Sequence, residues 1–283
     1  MQDRVTKKIF SKDAAYQKLE VLKSNRNKRT KYREFIIEGV RNINEALKNG
    51  WCINSFIYPK EVQLSTWASG LLANTETKIN FALKNSLMEE LSGKADTSEL
   101  MAVVRMNGLP EPADLQKSIS DLPELPVLVL FDRPSNKGNL GTLLRSCDAL
   151  GADRLIINGH GVDIYDPDVI ASSTGSFFKL PFLRLSDNKD IGKYIAGLKQ
   201  RYPKMLVAGT AEKSGKPIYD IDLRVPVLIM IGNEKSGLNR HLQGLCDVMA
   251  EIPMNAGRAA SSLNVSCAAT VILYEINRQR IIP

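Results

Sequence analysis

Three stretches in the C-terminal half set Asn, Glu, Arg and Ser beside glycine where apolar runs end: residues 132–145 (DRPSNKGNLGTLLR), 231–239 (IGNEKSGLN) and 252–264 (IPMNAGRAASSLN). Each stretch thus displays amides, a carboxylate, hydroxyls or a guanidinium on a turn instead of burying them. Gly138, Gly141, Gly232, Gly237 and Gly257 are read as strand-to-helix turns, where a missing side chain lets a ligand approach backbone N–H and C=O groups. Gly138-Asn-Leu-Gly141 is not a dinucleotide fingerprint, and no G-x-x-x-x-G-K-[ST] phosphate loop occurs. Spacing alone therefore supports a nucleotide-binding α/β enzyme.

The elements that must carry these residues follow from periodicity. Apolar runs at 127–131, 154–158, 205–208, 227–231 and 248–252 alternate with helical patterns, the signature of a parallel sheet covered on both faces. Ligands of such sheets sit at the carboxyl ends of the strands, where all three stretches begin. After the first run, Leu140, Leu143, Leu144, Cys147 and Leu150 form one helical stripe, with Gly151 as a stop. Arg145 lies opposite that stripe, facing a ligand or pairing with Asp148 at i+3. A last helix over about 262–280 is apolar nearly all round and is expected against the sheet or a partner subunit. Ser261 or Ser262 would cap it, with Arg278 and Arg280 at its negative end.

At 283 residues the chain exceeds a usual single domain, which implies two. Proline-bearing segments at 107–114 and 120–126 mark a linker. The division expected is a mixed α/β domain at 1–110, a linker at 111–125 and the parallel-sheet domain at 126–283. In the first, a helix is predicted to end at Gly50 and a strand to cover 55–59. An apolar fraction of 43% and a charged fraction of 24% exclude a disordered or fibrous chain. No apolar run approaches the roughly 20 residues needed to cross a bilayer. Residues 1–8 have no apolar core, and Asp3, Asp13 and Glu20 argue against a transit peptide, so a cytoplasmic protein is expected. The four cysteines have only two histidines to join them and are read as reduced, mostly buried thiols with no metal site. Residues 1–33 hold eleven Lys/Arg against three acids, a net of +8 where the whole chain sums to +7, which suits docking on a polyanion.

Asn139-Leu-Gly-Thr-Leu-Leu-Arg145, Gly232-Asn-Glu234 with Gly237, and Ile252-Pro-Met254 followed by Ser262-Leu-Asn-Val265 resemble, in order, the three motifs of the SpoU/TrmH family of SPOUT RNA 2′-O-methyltransferases. The resemblance covers about 126–280. Upstream, Arg33-Glu-Phe-Ile-Ile-Glu-Gly39 and the helix after it are similar to the family's ribosomal-protein-like RNA-binding domain. The resemblance implies a knotted α/β parallel-sheet domain (the SPOUT trefoil knot) behind that small mixed α/β domain. It implies S-adenosyl-L-methionine as methyl donor, RNA as substrate (ribosomal rather than transfer RNA), and a homodimer through the C-terminal domain whose active site draws on both subunits. By position it makes Arg145 the catalytic arginine, with Asn139, Glu234, Ser262 and Asn264 as the other catalytic positions. Gly232, Ile252, Met254 and Leu263 would enclose the cofactor, with Thr210 beside them. Arg26, Lys28, Arg29, Lys31 and Arg33 would contact RNA. Two other readings of the same resemblance are a transfer-RNA 2′-O-methyltransferase and an inactive RNA-binding protein of the same fold.

One departure stands out: the seven residues 255–261 are longer than the common family spacing, and they hold Arg258, which would touch the cofactor's carboxylate or the RNA. A guanidinium has a pKa above about 12 and cannot serve as a base. Arg145 is therefore expected to bind the target phosphate and lower the hydroxyl's pKa by its field, with Asn139 orienting it. Glu234 would fix Arg145 or Asn139, and Ser262 and Asn264 would shape the ribose pocket.

Overall fold

The computed structural model describes residues 5–94, 96–107, 115–213, 215–257 and 259–281. In chain order the elements are β1 (Thr6–Ile9), α1 (Ala14–Ser24), α2 (Arg26–Tyr32), β2 (Glu34–Glu38), α3 (Val40–Lys48), β3 (Ile53–Pro59), α4 (Thr66–Asn74), β4 (Asn80–Leu83), α5 (Asn85–Ser92), β5 (Met101–Arg105) and α6 (Leu115–Ser120). They continue with β6 (Val127–Asp132), α7 (Lys137–Ala149), β7 (Arg154–Asn158), α8 (Pro167–Ser173), β8 (Phe182–Leu185), α9 (Asn188–Arg201), β9 (Leu206–Thr210), β10 (Lys216–Pro217), β11 (Val227–Ile231), α10 (Arg240–Gln243), β12 (Val248–Glu251) and α11 (Val265–Ile281). No helix among the described residues is long and apolar enough to cross a membrane.

Two compact units result. One comprises the chain to Asn107 together with Asp163–Phe178, the other the remainder. The first unit holds a mixed sheet in the order β1-β4-β3-β5-β2, in which β1, β4 and β3 run parallel and β5 is antiparallel to both its neighbours. Residues 163–178 lie within the span expected for the second domain, yet they pack in the first unit. The reason is apolar: α8 packs on β2, and Tyr165, Phe177 and Phe178 join Phe35 and Trp51 in one cluster with ring centroids 5.0–5.9 Å apart. Trp51 Nε1 donates to the Phe178 carbonyl at 2.8 Å, which satisfies the indole inside the cluster.

Arg29, expected on the RNA surface, is only 2% exposed. Its Nε and Nη2 donate to Asp163 Oδ2 at 2.9 and 2.8 Å, its Nη1 donates to the carbonyls of Leu22 and Lys23, and Asp166 lies 3.5 Å away. A buried guanidinium is tolerated only when its donors are satisfied in this way, and the arrangement removes Arg29 from any phosphate.

The second unit is built on a wholly parallel seven-stranded sheet in the order β10-β12-β9-β11-β6-β7-β8. The five expected strands all appear. The short β8 alternates half-buried and buried residues (Phe-Leu-Arg-Leu) and, like the two-residue β10, offers too little pattern to be seen in advance. Asn136 caps α7, its Oδ1 accepting from the Asn139 N–H at 2.9 Å, so Gly138 and Gly141 lie inside the helix rather than in the turn before it. The last helix starts at Val265, not Ser262. Asn264 is its cap, accepting from the Ser266 N–H at 2.9 Å and its hydroxyl at 2.6 Å, which displaces Ser261 and Ser262 from that role. One face of α11 buries Ala269, Ile272, Leu273 and Ile276 within this chain, while Val271 and Tyr274 are exposed on it. Of the four free cysteines only Cys147 is buried; Cys52 and Cys267 are exposed.

Candidate active site

The site begins where β6 ends. Asp132 closes a strand of six buried residues and is itself fully buried, so its carboxylate must find donors. Arg133 supplies a fork at 3.0 and 2.8 Å, Asn158 Nδ2 at the end of β7 donates at 2.8 Å, and the Asn239 N–H and Nδ2 after β11 both donate at 3.1 Å. One carboxylate thus ties three strand ends together. Arg133 adopts φ +48, the left-handed conformation that a bulky residue takes at a cost. Its carbonyl accepts from Asn233 Nδ2 at 2.7 Å, which brings the turn after β11 against the turn after β6. Asp132 was not singled out from sequence, although an acid at the end of a continuous apolar run is a legible sign of a buried, fully engaged carboxylate.

Glu234 sits in that second turn. It accepts from the Ser135 N–H (3.0 Å) and hydroxyl (2.7 Å), the Asn136 N–H (3.1 Å) and Asn139 Nδ2 (3.3 Å). Burial pushes its carboxyl up, but the hydrogen bonds, led by the Ser135 hydroxyl, outweigh this and hold it below its ordinary value. Asn139 Oδ1 in turn accepts from Asn264 Nδ2 at 3.0 Å. A directed run Asn264 to Asn139 to Glu234 therefore joins the three motifs, each amide donating onward with its NH₂ group. Of the two roles expected for Glu234, it fixes Asn139, not Arg145.

Arg145 is exposed on α7 and makes no hydrogen bond or ion pair with any described residue. The alternative pairing with Asp148 does not form, and Asp148 instead meets Lys179 at 3.0 Å. Arg258 lies outside the described residues.

Beside the carboxylate opens a cavity of about 510 Å³, a size that suits a nucleoside-sized cofactor. Gly232, Ile252, Met254, Leu263 and Thr210 all line it, as do Glu234 and Ser262. At Gly232 an added Cβ would lie 2.3 Å from the Leu238 nitrogen and 2.4 Å from the Gly237 carbonyl carbon, so only glycine lets the turn fold back on itself here. The Gly232 N–H points to Thr210 Oγ1 at 3.4 Å. Ile231, Leu238, Ile252, Met254 and Ile272 give apolar walls for a flat base, and the Thr210, Ser236 and Ser262 hydroxyls give polar partners. These residues fit S-adenosylmethionine. In the first unit, Arg26, Lys31 and Arg33 are exposed and Lys28 is half-buried. Arg33 caps α2 at φ +57.

A wholly parallel sheet with a polar, glycine-turned cavity at its strand ends defines an α/β enzyme that takes a nucleotide-like cofactor. Residues 126–274 match the SpoU rRNA Methylase family, and residues 13–102 match the SpoU L30e-like domain. The chain is 41% identical over 281 residues to a 23S rRNA (uridine(2479)-2′-O)-methyltransferase from Streptomyces viridochromogenes, covering 97% of this chain and 93% of that protein. It is 27% identical over 252 residues to the 23S rRNA (guanosine(2553)-2′-O)-methyltransferase RlmP of Bacillus subtilis, covering 89% and 91%. Among solved structures, the SpoU methyltransferase AviRb from Streptomyces viridochromogenes in complex with AdoMet superposes with a TM-score of 0.87 at 39% identity, covering 95% of this chain and 99% of that one. The chain belongs to the SpoU/TrmH family of RNA methyltransferases, and with it to the SPOUT fold, whose knot this membership implies.

Proposed function

We propose that this protein transfers a methyl group from S-adenosylmethionine to a ribose 2′-hydroxyl of 23S ribosomal RNA, works as a homodimer, and acts in the cytoplasm. The observation that carries the chemistry is the run Asn264–Asn139–Glu234 at a cavity whose lining fits the cofactor, with an arginine that has no partner among the described residues on the helix that bears Asn139. Relatives named for 23S ribosomal RNA favour that substrate over transfer RNA. The intact polar run argues against an inactive RNA-binding protein.

S-adenosylmethionine, when bound, supplies a sulfonium-activated methyl group open to in-line displacement by oxygen. Gly232, Ile252, Met254, Leu263 and Thr210 would hold it through the folded-back turn and the apolar walls. Arg145 binds the phosphate next to the target ribose. Its fixed positive charge would lower the hydroxyl's pKa and ease loss of its proton to water, and a guanidinium does this without accepting a proton. Asn139 orients the hydroxyl, and Glu234 locks Asn139 in one amide orientation. Ser262 and Asn264 shape the ribose pocket, while Arg26, Lys28, Lys31 and Arg33 bind backbone phosphates elsewhere on the RNA.

Dimerisation is supported by α11 and the residues before it, where the apolar side chains of Leu263, Val271 and Tyr274 are exposed and Cys267 lies in the same stripe. A second copy covering this face would let Arg145 serve the neighbouring cavity. Sedimentation should show a dimer that Val271→Asp converts to monomer. The function is tested by mapping ribose methylation in total RNA from cells with and without the gene. One 23S ribosomal position should lose its methyl group, and an unchanged map in every RNA refutes the proposal.

A further inference from the structure

The C-terminal ends of three parallel strands in the first unit lie side by side, with Ile9 opposite Leu83 and Leu83 opposite Pro59. The next residue of each strand is Phe10, Lys84 and Lys60. The rows stay together past the strands, because the Lys84 N–H donates to the Ile9 carbonyl at 3.0 Å and the Lys60 N–H to the Leu83 carbonyl at 2.7 Å. Phe10 is 57% exposed. One exposed ring is ordinary by itself; its charged neighbours are what mark this one. Lys60 Nζ stands 4.4 Å from its ring centroid.

The surrounding charges decide what could cover it. Lys7 pairs with Asp13, Lys12 pairs with Glu90, and Glu61 accepts from the Asn85 N–H. Glu61 keeps its charge, since a backbone N–H does not neutralise it, but Lys60 and Lys84 make no ion pair with any described residue and together outweigh it, so the net charge beside the ring is positive. An exposed aromatic face at the end of a row that continues with two lysines matches an unpaired nucleobase and its flanking phosphates, since every base has a face to stack and every linkage an anion to neutralise. The lysine over one side of Phe10 adds a cation–π contact and leaves the other side to the base.

We propose that Phe10, Lys60 and Lys84 form a stacking step for an unpaired base of the RNA substrate, separate from the basic cluster on α2. This rests on the reading of the protein as an RNA methyltransferase. Two assays keep the failures apart. Methylation of deproteinised 23S ribosomal RNA by the wild-type protein tests the enzyme. Binding of the same RNA without S-adenosylmethionine tests the step. Phe10→Leu should weaken binding about tenfold, the loss expected of one stacked base, and Phe10→Trp should restore it. Lys84→Gln should lower the slope of log affinity against log salt by about 0.7, one phosphate's share on single-stranded RNA. Ultraviolet crosslinking should join Phe10 to an unpaired nucleotide. Equal affinity of wild type and Phe10→Leu, with both melting at the same temperature, overturns the step, as does crosslinking confined to other residues.

Discussion

Arg29 and Arg145 each lie on a helix of their own unit, and both look from their sequence surroundings like residues that meet RNA. The folded chain treats them oppositely. Arg29 is enclosed and divides its donors among Asp163 and two carbonyls, with Asp166 close by. Arg145 stands in solvent with no partner among the described residues. A guanidinium already satisfied by its own chain has nothing left for a phosphate, whereas an unpaired one retains its full field and five donors. The first arginine is thereby committed to the fold, and the second is the one proposed to meet the RNA.

The largest effect expected is on Arg29. Arg29→Ala leaves the mostly buried Asp163 without its partner and two carbonyls without a donor, and should cost about 3–5 kcal/mol in urea unfolding. An unchanged midpoint with weakened RNA binding would reverse the assignment. Next, Arg145→Ala should lower kcat by about 10²–10³ with an unchanged melting temperature, the size of effect seen when one stabilising donor is removed. Arg145→Lys distinguishes charge from shape: full activity with lysine would sink any role that needs the planar fork. Asn139→Ala removes a link held on both sides and should cost about 1–3 kcal/mol of transition-state stabilisation, read in kcat/KM.

The smallest effect concerns pH. Glu234 is held below its ordinary value, so its stabilising contribution is complete above the unfolded carboxyl pKa of about 4.3 and disappears as pH falls through the folded value. Between about pH 6 and about pH 9 its charge is constant. Wild type and Glu234→Gln should therefore give rate profiles of the same shape there, and a limb lost with the substitution would show that Glu234 titrates during turnover.

Much of the second unit was legible because its long strands are continuous apolar runs and α7 has a clean stripe at helical spacing. The cavity-lining positions were legible for a different reason. A turn that must fold back on itself at Gly232 admits no side chain, and such a constraint leaves a motif. The short strand β8 and the start of α11 were not, since four residues carry little periodicity and three candidate caps stand within four positions.

By itself the sequence determined five strands of the second unit, the stripe of α7 and the order of the three motifs, because each depends on local pattern, and through the motifs' resemblance it marked several residues that line the cavity. The tertiary structure alone decided that Asp132 ties three strand ends, that Glu234 holds Asn139 rather than Arg145, and that residues 163–178 complete the first unit's core. It also decided that Arg29 is buried. Each of these includes a partnership between residues 26 or more positions apart, and spacing along a chain carries no record of which distant group will satisfy a buried charge.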